Sequence, residues 1–294
     1  MLEEKKQKQS RKKIGLALGG GGAKGLAHIG VIKALEKAGI PIDFVAGTSM
    51  GALVGGWYAA TENIVFLENI FLKIKEEDLT SKNTVKNVES ENLFKSDLFA
   101  KMLTGIMGDK KIEQCSLPFK AIATNVENGK EVILSNGSLV DAIRASIALP
   151  VVFKPVKIGD QLLMDGGVSN PVPADVVRQM GADFVIAVDI SSRWIRIDND
   201  LSEMKDNSSF IASAFSVVEY EVAQHVLKQA DIVLRPAVMT YDWLEFFRAK
   251  ELIAAGARET ERNLREIRKE AGFPKQAPKT IVEAISNFLN TDNL

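Results

Sequence analysis

The chain has 294 residues, 46% of them hydrophobic, enough for one substantial α/β core or at most two small domains, and one main domain is expected. Its 37 basic and 38 acidic residues leave a formal charge of -1, a balance that offers no field for holding nucleic acid by phosphate neutralisation. A single cysteine and two histidines exclude an internal disulfide and a Cys/His zinc cluster, and point to a reducing compartment.

Residues 1–13, MLEEKKQKQSRKK, read as a basic, flexible tail without the apolar centre of a secretory signal, and no later stretch stays apolar long enough to span a bilayer. The expected location is therefore the cytoplasm. Peripheral contact with the inner membrane face stays open, because basic segments gain about 1 kcal/mol per charge near anionic lipid.

A core is expected over 14–192. KIGLALGG predicts a short buried strand, and GLAHIGVIKALEKAG a helix stopped by Gly39 and Pro41. DFVAGTSMG repeats the plan, breaking at glycine into the small-residue helix ALVGGWYAATE. Two successive strand-turn-helix units predict a three-layer α/β/α sandwich. Between about 61 and 117 the pattern changes to amphipathic pieces, read as a helical cap insertion. Phe66, Phe71, Phe99, Met102, Leu103 and Met107 there are either the lining of an acyl groove or a helical layer packing its own core.

Further along, PFKAIATNVENGKEVILSNG predicts a hairpin closed by the two-residue turn Asn128-Gly129. Ser138 and Asp141 form a capping-box pattern opening a helix to about Pro150. FKPVKIGDQLLMDGG predicts a second hairpin, Pro173 a helix start, and DFVIAVDIS and ADIVLRP two more strands. Residues 193–294 read as mostly helical and completing the same domain. Within them Trp243, Leu244, Phe246 and Phe247 sit close together, on a helix that either lies in a membrane interface or docks on its own domain.

The loop ALGGGGAKGLAHIG carries the first chemical signal. A Walker A loop needs Ser or Thr after its lysine, but Lys24 is followed by Gly25. Gly20, Gly22 and Gly25 spell a dinucleotide fingerprint, yet the second strand begins with Asp43 and ends at Gly47, so the acid expected at its end is missing. What remains is a glycine-rich turn whose N–H groups converge at a helix start on a negative atom, which can be an oxyanion formed during a reaction.

The second signal is GTSMG, where Gly47 and Gly51 flank Ser49 at a strand-to-helix elbow and expose its hydroxyl. A serine nucleophile needs a base. His28 lies one turn into the first helix, and His225 sits in a helix without a loop to bring it to a site. The base is then a carboxylate: Asp165, at the end of a strand before Gly166 and Gly167, is favoured, and Asp189 at the end of another strand is the rival.

GGGAKG, GTSMG and DGG, in this order over about residues 14–190, resemble the three signatures of the patatin-like phospholipases. GLAHIGVIKALEKAGIPID and DAIRASIALP are similar to stretches of small bacterial members related to the catalytic domain of neuropathy target esterase. The resemblance implies a Ser49/Asp165 dyad on a three-layer sandwich. It also implies an oxyanion hole from Gly20, Gly21 and Gly22, completed by Lys24 and Gly25, no metal or other cofactor, and a lipid or acyl-ester substrate. An acyltransferase using the same acyl-enzyme and a non-catalytic lipid-binding protein are the alternatives. Head group, chain length and oligomeric state stay open.

Overall fold

The computed structural model describes residues 11–77, 103–105, 107–150, 152–191 and 207–273, the last stretch by backbone alone at 207–214 and 216. Eight strands form one sheet: β1 (Ile14–Leu18), β2 (Phe44–Thr48), β3 (Phe119–Asn125), β4 (Glu131–Leu134), β5 (Val156–Ile158), β6 (Gln161–Asp165), β7 (Phe184–Val188) and β8 (Ile232–Leu234). Followed through its pairings the sheet runs β5-β6-β3-β2-β1-β7-β8, with β4 also paired to β3. β3, β2, β1, β7 and β8 are mutually parallel, whereas β4 and β6 run antiparallel to β3.

Helices cover both faces, which is why the central strands read as unbroken apolar runs rather than alternating ones. In β1 and β7, Ile14, Leu16, Leu18, Phe184, Ile186 and Val188 point into the larger core, and Ala17, Val185 and Ala187 into the smaller one behind the sheet. The larger core is closed by α1 (Ala27–Lys37), α2 (Met50–Thr61), α3 (Ile64–Phe71) and α7 (Ala249–Glu270). The smaller is closed by α5 (Ala174–Gln179) and by Ala223 on α6 (Asn207–Val226), while α4 (Leu139–Ser146) lies against β3 and β6. The result is the α/β/α sandwich expected from the strand-turn-helix repeats.

Small residues bring these layers together. A Cβ on Gly30 of α1 would lie 1.9 Å from the Ile253 carbonyl oxygen, and one on Gly256 of α7 1.9 Å from the Ala27 carbonyl oxygen, so the two helices touch backbone to backbone. α2 is buried along its whole length up to Ala60, and Gly55 lets it settle onto Val45 of the sheet.

Two expectations are corrected and one open alternative is decided. The β3–β4 hairpin is closed by residues 126–130 rather than by Asn128-Gly129 alone, because the Asn125 side chain accepts from the N–H groups of Glu127 and Asn128 at 2.9 and 3.3 Å and draws the chain into a wider turn. α4 ends at Ser146, four residues before Pro150, although Ser138 caps its start as expected, accepting from Asp141 N–H at 3.2 Å. Phe71, Leu103 and Met107 are core residues, not groove lining, and Phe66 is about half exposed with its ring stacked on Trp57 at 5.5 Å. Phe99 and Met102 lie outside the described residues, as do residues 1–10 and 274–294. Around Trp243 the chain turns back on its own domain: Phe246 is buried and stacks on Phe71, with centroids 6.1 Å apart.

Candidate active site

The sheet pairings place the site. Ile122 of β3 pairs with Thr48 on one edge and Ile133 on the other; Ala123 pairs with Asp165 and Val132. Since β4 occupies the second edge for both residues, β2 and β6 share the first, end to end. They run toward each other along β3, so that Ser49, just past β2, and Asp165, the last residue of β6, arrive at the same place.

Ser49 occupies the turn from β2 into α2 with φ 53° and ψ -121°, a positive φ that costs a non-glycine residue energy and persists only where its surroundings impose it. The flanking glycines make the turn sterically feasible: a Cβ on Gly47 would sit 2.3 Å from the Gly51 carbonyl oxygen, and one on Gly51 2.1 Å from the Leu18 carbonyl oxygen. The Ser49 N–H donates to Ser146 Oγ at 2.9 Å, whose hydroxyl in turn donates to the Ile122 carbonyl, tying the elbow to α4 and β3. Thr48 Oγ1 donates to the Asn170 carbonyl at 2.7 Å.

Ser49 Oγ donates to Asp165 Oδ2 at 2.6 Å. Asp165 is 1% exposed, and its Oδ1 accepts from Gly167 N–H at 2.8 Å. Burial pushes its carboxyl up to about 7, against the two hydrogen bonds, which favour the ionised form. The pair is therefore a hydroxyl held by a carboxyl whose proton affinity lies near neutrality, the range in which a general base works best.

The glycine loop faces the same serine. A Cβ on Gly20 would lie 3.3 Å from Ser49 Cβ, and one on Gly25 2.2 Å from Met50 Cγ, so loop and elbow pack directly together. The five residues are not equivalent as donors. Gly20 N–H is given to the Pro171 carbonyl at 3.0 Å, just as Gly19 N–H goes to Val188 and Ala23 N–H to Trp243. For the N–H groups of Gly21 and Gly22 no acceptor occurs among the described residues. These two residues have φ 149° and 59°, conformations open to glycine. Lys24 is buried, which lowers the proton affinity of its ammonium, while the charges of Glu219, Asp242 and Asp189 oppose that shift.

Neither histidine belongs to the constellation. His28 is fully buried behind the loop, where its Nε2–H donates to the Gly19 carbonyl at 2.8 Å; burial lowers it to about 4 and keeps the ring neutral. His225 is exposed at the end of α6. Asp189 accepts from Ser191 Oγ at 2.6 Å and Arg235 Nε at 3.3 Å.

One residue of the site was missed in the sequence. Glu219, on α6, is 5% exposed, and burial together with the Asp165 charge pushes its carboxyl up to about 8. A Cβ on Gly167 would lie 1.8 Å from Glu219 Oε1 and 3.3 Å from Asp165 Oδ1, so the two carboxyls face one another across that glycine. A signal was present: Glu219 shares helical spacing with Ala223 and Leu227, both buried, and a charged residue on such a stripe is out of place unless it serves a site. Among the described residues no group of three or more His, Cys, Asp or Glu is placed to hold a metal, and no helix is long and apolar enough to cross a membrane.

Comparison with known proteins adds an independent line. Residues 16–178 match the family model described as patatin-like phospholipase. An uncharacterized NTE family protein of Mycobacterium tuberculosis is 37% identical over 186 residues, 62% of this chain and 50% of that protein. Patatin-like phospholipase domain-containing protein 7 of Rattus norvegicus is 32% identical over 83% of this chain and 20% of its own length. The neuropathy target esterase sws of Drosophila melanogaster is 37% identical over 67% of this chain and 14% of its own. The chain thus spans half the length of the bacterial relative and a fifth or less of the animal ones. Among solved structures, VipD from Legionella pneumophila superposes with a TM-score of 0.53 over 87% of this chain and 67% of that one, at 14% identity, a likeness of fold.

Proposed function

The chain belongs to the patatin-like phospholipase family, and from that premise we propose that it is a lipid acyl hydrolase working through Ser49 and Asp165. The ester carbonyl is attacked by Ser49 Oγ as Asp165 Oδ2 takes the hydroxyl proton. Collapse of the tetrahedral intermediate passes that proton to the leaving alkoxide and leaves an acyl-serine. A water then repeats the sequence, giving its proton to Asp165 and releasing the fatty acid and Ser49.

In both half-reactions the oxyanion is received by the N–H groups of Gly21 and Gly22. Gly20, whose own N–H is engaged by Pro171, contributes a face without a side chain against Ser49. Removing one such donor typically costs about 2.7 to 4 kcal/mol of transition-state stabilisation. Lys24 and Gly25 hold the loop, Lys24 by its buried charge and Gly25 by its close packing on Met50. No imidazole takes part.

The observation that carries the reading is the 2.6 Å hydrogen bond between Ser49 Oγ and Asp165 Oδ2 at a strained strand-to-helix elbow. The words phospholipase and esterase in the names of the rat and fly relatives support an acyl-ester substrate. Fluorophosphonate labelling tests it: the probe should modify Ser49, mapped by mass spectrometry, and Ser49→Ala should be unlabelled and inactive on p-nitrophenyl butyrate. Labelling elsewhere, or turnover by a folded Ser49→Ala protein, ends it.

A further inference from the structure

We propose that Glu219 is a further functional carboxyl of this cleft, one that must keep its proton for turnover. Protonated, it leaves the single negative charge of the carboxyl pair on Asp165. Ionised, it sets a second negative charge beside the glycine loop, where the oxyanion forms. The inference rests on the Ser49–Asp165 reading.

Four observations converge on it. Glu219 Oε1 would lie 3.3 Å from a Cβ on Gly20, and so would Ser49 Cβ, so the carboxyl and the nucleophile border the same face of the loop. The same oxygen approaches Gly167 so closely that no side chain fits there, which brings it to Asp165. Glu219 is 5% exposed, so its carboxyl lies in the dry interior of the cleft. Its neighbour Asp165 is held by Ser49 and Gly167, two donors that favour its ionised form, and the charge of Asp165 in turn opposes ionisation of Glu219.

The charged surroundings bear on both states. Lys24 faces Glu219 from the glycine loop and favours its ionisation; Asp165 from β6 and Asp189 from the end of β7 oppose it. The Asp242 charge also acts on Lys24 and favours its protonated form. Two carboxyls and one ammonium thus share a dry cleft, and the state with one proton on the carboxyl pair places no more negative charge there than the base requires. The proton on Glu219 also makes it a donor directed at the loop, as neutral carboxylic acids can be in oxyanion sites.

The test is the pH dependence of kcat/KM for p-nitrophenyl butyrate, with the rate of fluorophosphonate labelling as a second readout that needs no deacylation. For the wild-type chain both should rise as Asp165 ionises, near 7, and fall as Glu219 ionises, near 8. The alkaline loss should be about ten- to a hundredfold, the effect of one extra charge a few ångströms from the oxyanion. Glu219→Gln should keep the acid limb and lose the alkaline one. Glu219→Met, uncharged and of similar volume, carries the same expectation should the amide not fold. A flat alkaline side in the wild type, or an unchanged alkaline limb in either variant, overturns the role of Glu219 and leaves the dyad standing. Failure of the wild-type chain to label at Ser49 at any pH would instead remove the dyad, and this inference with it.

Discussion

Asp165→Asn should make the protein more stable at neutral pH while abolishing its activity. Asp165 is buried, and its carboxyl rises from an ordinary 3.8 to about 7 in the fold. A group whose proton affinity is raised on folding contributes stability below its unfolded value, and loses that contribution as pH climbs through the folded one. The distance between the two values corresponds to about 4 kcal/mol, nearly all of it lost by about pH 7.5, and about 2 to 3 kcal/mol of it between pH 5 and 7.5. Asparagine carries no charge at any of these pH values. Its Oδ1 can still accept from Gly167 N–H, and its Nδ2 can donate to Ser49 Oγ, so both hydrogen bonds of the carboxyl have replacements. Urea unfolding of the two proteins at about pH 5 and 7.5 measures the difference. The variant's advantage should widen by about 2 to 3 kcal/mol from the lower to the higher pH. An advantage that stays constant, or a variant less stable at pH 7.5, would show that Asp165 is not buried as a charge and would remove the physical basis for its raised proton affinity.

The same shift bears on activity: in the proposed mechanism the base works as the carboxylate, so kcat/KM should fall about tenfold per pH unit below about 7, read with p-nitrophenyl butyrate. His225→Ala should leave turnover unchanged, because the residue is exposed at the end of α6 and its ring is set against the Glu221 carbonyl. His28→Ala should lose about 2 to 4 kcal/mol of stability, from the cavity and the unpaired Gly19 carbonyl, with Ser49 labelling retained in the folded fraction. Loss of labelling in folded His28→Ala or His225→Ala protein would return an imidazole to the mechanism. Gly256→Ala should destabilise by about 1 to 3 kcal/mol or prevent folding, since its methyl would meet the Ala27 carbonyl at 1.9 Å; a neutral urea midpoint would contradict the backbone contact of α1 and α7.

Local chemistry was legible in the chain because it is written in short range. Glycines that a turn cannot do without, a serine between two of them, an aspartate ending a strand and the absence of a usable histidine are all properties of a few consecutive residues. They sufficed for the layered architecture, and they singled out Ser49 and Asp165, which lie in hydrogen-bond contact in the fold. Hairpin geometry was less legible, because the Asn125 side chain, outside the Asn128-Gly129 pair, decided where the turn closes. The donors of the loop were legible only as a group: Pro171, distant in sequence, takes the Gly20 N–H and leaves those of Gly21 and Gly22.

What the sequence by itself determined is the inventory: an elbow serine, a strand-end carboxylate and a glycine turn with amides to spare. Only the tertiary structure decided that they meet, because β2 and β6 approach head-on along one edge of β3, a matter of register between strands separated by more than a hundred residues. It also decided that Glu219, on a helix far along the chain, joins them. The physical reason is common to both: the bonding preferences of a residue act over a turn or two, whereas the proton affinity of a carboxyl depends on which groups burial brings within a few ångströms of it.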